Sequence, residues 1–256
     1  MADEIAIETQ HLSKNFGSLA AVKDVSIKIR KNSLHAIIGP NGAGKTTLFN
    51  LLSGTLKPTA GKVFYKGMDL TQQPVHKMIH LGIGRSFQIT NIFPNLTVYE
   101  NIRLASQAME PGNFRIVDDV SKLADCERRT QEVIQRLGLQ NQAMLLARTL
   151  PHGDQRKLEL GMILAPDPEV LLLDEPTAGM AAEQVPELIA LIQEIQLSGE
   201  KTVVLVEHNM NVVMSISDKI TVMHLGQVLA EGSPSEIASN KEVQTAYLGG
   251  LYELDV

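Results

Sequence analysis

The 256-residue chain has one cysteine, no apolar stretch long enough to span a bilayer, no low-complexity tract and no excess of positive charge. Each absence excludes something. With Cys126 alone no internal disulfide can form, and a reducing compartment, the cytoplasm, is the expected home. Apolar runs such as residues 170–173 and 203–206 fall far short of the ~20 residues a spanning helix needs, so the chain is not expected to cross a membrane. Met1-Ala2-Asp3-Glu4 is acidic and leads into no apolar signal-peptide core, so no secretory leader is expected. A net charge of −6 repels a phosphate backbone, which argues against nucleic acid as a partner. What is present, 44% apolar and 20% charged residues with only 11 prolines, is the profile of an ordered protein folding throughout as one large domain, with room for a lobe.

The first third reads as strands separated by turns: residues 5–8, residues 25–29 with strict alternation, and residues 62–66. Alternation of this kind predicts a half-exposed antiparallel sheet. Residues 34–38, 170–173, 202–206 and 220–223 are instead continuous apolar runs, expected of parallel strands covered on both faces by helices. Between about residues 96 and 165 the period becomes helical, with Val133, Ile134 and Leu137 followed by Leu158, Met162 and Leu164. Residues 106–127 are polar, without clean periodicity, and are expected to form an extended loop or a loose helix. A helix over 182–197 places Leu188, Leu191, Ile192 and Ile195 on one face. No internal repeat is visible.

Gly39-Pro40-Asn41-Gly42-Ala43-Gly44-Lys45-Thr46 satisfies G-x-x-x-x-G-K-[ST], after the apolar run 34–38 and before the helix-like segment that begins at Thr47. The glycines allow backbone N–H groups to curl around phosphate oxygens, Lys45 supplies a point charge to β- and γ-phosphates, and Thr46 is placed to ligate Mg²⁺. The bare pattern arises by chance in roughly one chain in a hundred of this size, and the flanking strand makes an incidental glycine-rich turn rarer still. The run 170–173 ends in Asp174-Glu175, at the sheet edge where ligands bind in such folds. Asp174 there holds Mg²⁺ through water, and Glu175 orients or deprotonates the water attacking the γ-phosphate; alone, a strand ending in Asp-Glu-Pro could equally be a capped strand end.

From about Ile5 to Gly249 the order of these motifs resembles the ABC ATPase family, which implies an α/β P-loop NTPase core with an antiparallel β-subdomain (about residues 1–95 and 166–256) and an inserted helical lobe (about 96–165). The resemblance implies further roles. Gln88, in Ser86-Phe87-Gln88, looks like the glutamine that touches Mg²⁺ and responds to the membrane partner; His208 looks like the switch histidine on the γ-phosphate; Phe16 resembles the aromatic that stacks on adenine; Ala178-Gly179-Met180 occupies the place of the D-loop. In isolation each has an ordinary reading as loop, core or surface residue. Leu150-Pro151-His152-Gly153-Asp154-Gln155 stands at the family's signature segment but departs from Leu-Ser-Gly-Gly-Gln, with Pro151 at the serine position, His152 at a glycine and Asp154 at the glutamine. In the family this segment reaches across a head-to-tail dimer to the partner's γ-phosphate. A proline here is also at home in the first turn of a helix, and both readings can hold together.

The resemblance is strongest to ATPases of branched-chain amino-acid importers, on the Gly153-Asp154-Gln155-Arg156, Glu207-His208-Asn209-Met210 and Ala246-Tyr247-Leu248-Gly249 segments. It implies ATP and Mg²⁺, transmembrane permease subunits, a second ATPase subunit in a homo- or heterodimer, an external solute-binding protein in the same system, and a peripheral place on the cytoplasmic face of the membrane. Urea or amide importers and the lipopolysaccharide-export ATPase are similar relatives. A soluble ABC protein acting on ribosomes or DNA fits poorly, since the chain is acidic and has one phosphate loop and no heptads. A regulatory subunit with little hydrolysis is argued against by the set Lys45, Asp174, Glu175 and His208. The apolar segment after Gln88, residues 89–94, is expected to face a partner.

Overall fold

The computed structural model describes residues 4–86, 92–108, 120–198 and 201–248. Two sheets organise it. The first is antiparallel, built on the long strand β1 (Ile5–Phe16), which pairs with β2 (Leu19–Val25), β3 (Lys28–Arg30) and, through its other edge, β5 (Ala60–Tyr65) and then β6 (Met68–Asp69). The second has the order β11-β10-β4-β9-β8-β7, from β4 (Leu34–Ile38), β7 (Ile83–Arg85), β8 (Val170–Asp174), β9 (Thr202–Val206), β10 (Lys219–His224) and β11 (Gln227–Gly232). All its neighbours are parallel except β10 and β11.

The apolar runs form β4, β8 and β9, and every residue in these strands is buried. The reason lies in the period-2 geometry of a strand covered twice. Leu171, Leu173, Val203 and Leu205 share a core with the helices α3 (Val98–Gln107), α4 (Val120–Arg136), α5 (His152–Leu164) and α6 (Val185–Leu197). Val170, Leu172, Val204 and Val206 point the other way, toward α1 (Lys45–Leu52) and the antiparallel sheet. Full burial of each such side chain contributes about 1.5–3 kcal/mol. The short helices α2 (Val75–Met78), α7 (Met210–Ile216), α8 (Pro234–Ser239) and α9 (Lys241–Leu248) complete the chain, with α7, α8 and α9 covering the β10 side.

Three expectations are corrected by the structure. Residues 25–29 are not one strand: β2 ends at Val25 and β3 begins at Lys28. Val25, Ile27 and Ile29 are all buried, so the alternation reported the face faithfully, but the pairing breaks between them. The Thr9 side chain fills the break, donating to the Val25 carbonyl at 2.9 Å and accepting from the Ile27 N–H at 3.0 Å. Of residues 106–127, Ser106 and Gln107 finish α3 and 120–127 are regular α4 helix; 109–119 lie outside the described residues. The helix expected from 182 starts at Val185, with Pro186 in its first turn, where the missing N–H costs nothing. Strand β11 was not foreseen. Its hairpin turns on Leu225 and Gly226, both at positive φ (49° and 84°). Gly226 donates to the Ala43 carbonyl at 3.0 Å and accepts from the Lys23 N–H at 2.7 Å.

Candidate active site

Topology gathers the motifs. In the order β10-β4-β9-β8, register pairs Asp174 with Val206, Ile37 with Val206, and Ile38 with Val222. Three adjacent parallel strands therefore end at one edge, and the phosphate loop, Asp174-Glu175 and Glu207-His208 leave from it side by side, the place where open α/β sheets bind ligands.

The loop after β4 is bound into the fold at both ends. A Cβ on Gly39 would lie 2.2 Å from the Met223 carbonyl oxygen, and one on Gly44, at φ 100°, would lie 2.4 Å from that of Ala21, so neither position tolerates a side chain. Gly44 is the residue from which α1 springs, directing the helix's first amides into the loop. Thr46 is exposed on that first turn and Thr47 half-buried beside it. Lys45 is buried, and its ammonium donates to the carbonyls of Gly39 at 2.7 Å and Pro40 at 3.1 Å. Burial lowers its pKa, while the nearby Glu175 and Asp174 carboxylates act to raise it. The lysine is thus folded along its own loop, in reach of whatever the loop amides hold.

Asp174 is 2% exposed, and its Oδ1 is buried without a hydrogen-bond partner. Burial first, then the charge on Glu175, pushes its pKa up from 3.8 to about 6, against the pull of Arg85, His208 and Lys45. A buried carboxylate oxygen with nothing to accept from, at the sheet edge from which the phosphate loop also leaves, fits a hard divalent cation that also takes phosphate oxygens. Among the described residues no cluster of three His, Cys, Asp or Glu could hold a metal alone. The Asp174 N–H is fixed by the Ser86 hydroxyl at 2.8 Å. Arg85, on the same strand end, reaches Asn50 and Ser53 of the α1 region at 2.6 Å each and Thr55 beyond, with its guanidinium over the Phe49 ring.

Glu175 adopts φ 49°, a left-handed conformation that strains a non-glycine residue. Its N–H is held by the Val206 carbonyl at 2.8 Å, and its Oε1 lies 3.3 Å from His208 Nδ1. The histidine side chain is 56% exposed, so the pair opens onto the edge rather than into the core. Phe16, at the β1–β2 turn, is 46% exposed with Lys14 over its ring at 5.3 Å. Phe16 pairs with Leu19 of β2, and β2 runs on to Ala21, whose carbonyl lies against Gly44 of the loop. Gln88 lies outside the described residues.

The signature segment is elsewhere. Pro151 is the N-cap of α5, with ψ 152°, and the helix begins at His152; the proline precedes the first turn instead of lying in it. No hydrogen bond or ion pair among the described residues joins 150–154 to the phosphate loop. Leu150 is buried, Gly153 packs under Gln184, and Asp154 pairs with Lys157 at 3.3 Å. Gln155 N–H is the amide that bonds back to Pro151, at 3.0 Å, so the earlier amides of the turn point outward, as at any helix start. A Cβ on Gly179 would lie 3.4 Å from His152 Cε1, and Arg156 donates to the Ala178 carbonyl at 3.1 Å, placing 178–180 against this helix. Sequence reasoning gave no role to Glu207, a buried carboxylate directly after β9; an acid following an apolar strand, as Glu175 follows β8, was the available signal.

A family profile described as ABC transporter matches residues 22–178, and one described as branched-chain amino acid ATP-binding cassette transporter matches residues 227–252. The chain is 40% identical to the high-affinity branched-chain amino acid transport ATP-binding protein LivG of Salmonella typhimurium, over 93% of this chain and 95% of the relative. It is 37% identical to BraF of Pseudomonas aeruginosa, described in the same words, over 95% and 97%. The ADP conformation of MJ1267, an ATP-binding cassette of an ABC transporter, superposes with TM-score 0.82 at 28% identity over 96% of this chain and 99% of that one. A dimeric bacterial ABC transporter cassette, MJ0796, gives 0.76 at 25% identity over 89% and 98%. The chain belongs to the ABC transporter family, as one of its ATP-binding, ATP-hydrolysing cassettes.

Proposed function

We propose that this chain is the motor subunit of a branched-chain amino-acid importer, hydrolysing ATP at the edge formed by β4, β8 and β9. The observation that carries the reading is the constellation at that edge: Lys45 folded along its loop, the unpartnered Asp174 oxygen, and Glu175 in contact with His208. Loop amides and Lys45 bind the β- and γ-phosphates, with Phe16 on the adenine. Thr46, Asp174 and Gln88 would hold Mg²⁺, which supplies neutralisation of phosphate charge. Glu175 orients the attacking water and accepts its proton, while His208 contacts the γ-phosphate and steadies Glu175. Leu150, Pro151, Gly153 and Asp154, at the start of α5, serve the loop of a second ATPase subunit, identical or not. Two such chains sit under transmembrane permease subunits at the cytoplasmic face, fed by an external solute-binding protein. The surface for the permease includes Phe93, 50% exposed on a loop latched by Asn101, which accepts from the Phe93 N–H at 2.7 Å.

The test is uptake. Proteoliposomes carrying the chain with its co-purified partner subunits, with the solute-binding protein outside, are expected to accumulate labelled leucine only when ATP is enclosed. Uptake of urea in place of leucine would move the cargo assignment, and intact ATPase without ATP-dependent uptake of either would overturn the importer reading.

A further inference from the structure

Glu207 is 1% exposed, and its carboxylate serves two segments at once. Oε1 accepts from Thr177 twice, from the N–H at 3.2 Å and from the hydroxyl at 2.5 Å. Oε2 accepts from the N–H of His208 at 3.1 Å and, at longer range, that of Asn209 at 3.5 Å. These donors are neutral N–H and O–H groups, two from each segment, so both carboxylate oxygens are occupied by hydrogen bonds.

The two segments are the ones that matter at the edge. Thr177 lies in the turn that Glu175 opens, where the Ala178 N–H bonds to the Glu175 carbonyl at 3.0 Å and the Met180 N–H to that of Thr177 at 3.2 Å. His208 carries the imidazole that meets Glu175 and is mostly exposed. Glu175 itself is in a left-handed conformation that its surroundings must enforce. Glu207 runs beneath both.

We propose that Glu207 is a positioning residue for hydrolysis, fixing the Glu175–Ala178 turn and the His208 peptide to one another so that Glu175 and His208 stay in contact. The proposal rests on the assignment of Glu175 and His208 to the reaction. Gln at position 207 keeps one acceptor oxygen and turns an NH₂ toward donors on the other side, so it can hold Thr177 or His208 but not both.

The experiment is steady-state ATPase, ATP affinity and thermal melting of the full chain assembled with its partner subunits, for Glu207→Gln, Thr177→Val, the double variant and, in parallel, Glu175→Gln. Glu207→Gln is expected to lower kcat about tenfold with ATP affinity held within about twofold. The double variant is expected to be no slower than Glu207→Gln, because both substitutions break one link. Parent kcat in Glu207→Gln overturns the proposal; so does a joint fall of kcat, affinity and melting temperature, which marks fold support alone, and so does an additive loss in the double variant. Turnover by Glu175→Gln above half the parent rate sinks the underlying assignment, whereas its loss beside an unaffected Glu207→Gln sinks only the role of Glu207.

Discussion

Helix α1 and helix α5 each begin with a loop and present free amides, yet their surroundings are opposites. The start of α1 is pinned between the Met223 and Ala21 carbonyls, has a buried lysine lying along it, and meets the ends of two neighbouring strands. The start of α5 has an exposed proline as its cap, no side-chain capping bond, and an acid turned back on its own helix. One helix start is enclosed by the chain's own fold; the other is open, and under the proposed function it is a half-site that a second subunit completes. The lesson is that a helix N-terminus becomes a site by what converges on it, since both N-termini carry a dipole of the same sign.

The sharpest way to break this contrast is at the finished site. Glu175→Gln is expected to reduce turnover by more than about a hundredfold while ATP still binds, because it removes the proton acceptor and leaves the phosphate cradle in place. Steady-state ATPase and nucleotide-binding assays decide it, and a variant keeping more than half of the parent rate would take Glu175 out of the reaction.

A second test concerns what completing the site inside the chain costs it. The folded chain raises the pKa of Asp174 from 3.8 to about 6, so it holds this proton more tightly than the unfolded chain does. The stability attached to the group is therefore greatest below its unfolded pKa, declines as pH rises toward the folded value, and stays flat above it. A rise from 3.8 to about 6 corresponds to about 3 kcal/mol at most. Asp174→Asn is expected to melt higher than the parent at pH 7 without nucleotide, to converge with it near pH 4, and to lose Mg²⁺-dependent ATPase. Parallel stability curves across this window would contradict the argument.

The mildest test addresses the half-site. A serine at 151 restores a hydroxyl toward a partner's phosphate, and a hydrogen bond to a charged group contributes roughly 1.5–3 kcal/mol, or about ten- to a hundredfold in rate. As N-cap it would also stabilise α5 by about 1 kcal/mol. Pro151→Ser is expected to raise ATPase of the assembled pair without changing ATP affinity of the isolated chain. Equal rates for parent and variant in the assembly would mean that position 151 serves only to start the helix.

What could be read in advance divides along physical lines. The phosphate loop was legible because its chemistry is local: glycines where side chains collide, a lysine one residue into a helix. Strands β4, β8 and β9 were legible because burial on both faces leaves an unbroken apolar run. The split of β2 from β3 was not, since the Thr9 side chain replaces a ladder pair and leaves the alternation untouched. Nor was β11, whose turn rests on a leucine at positive φ in place of the usual Asn or Asp. Glu207 stayed hidden because its partner Thr177 is 30 residues away, a pairing that exists only once β8 and β9 lie side by side.

Gly226, with its N–H on the Ala43 carbonyl and its own carbonyl on the Lys23 N–H, sits in series between the phosphate loop and the antiparallel sheet. A load applied to one is transmitted to the other through one glycine at the tip of a hairpin, across the two peptide planes that meet at its Cα. Any opening of the phosphate loop must release that amide or drag the hairpin along, which makes Gly226 a built-in gauge: the exchange of one backbone proton reports how often the loop and the sheet part company.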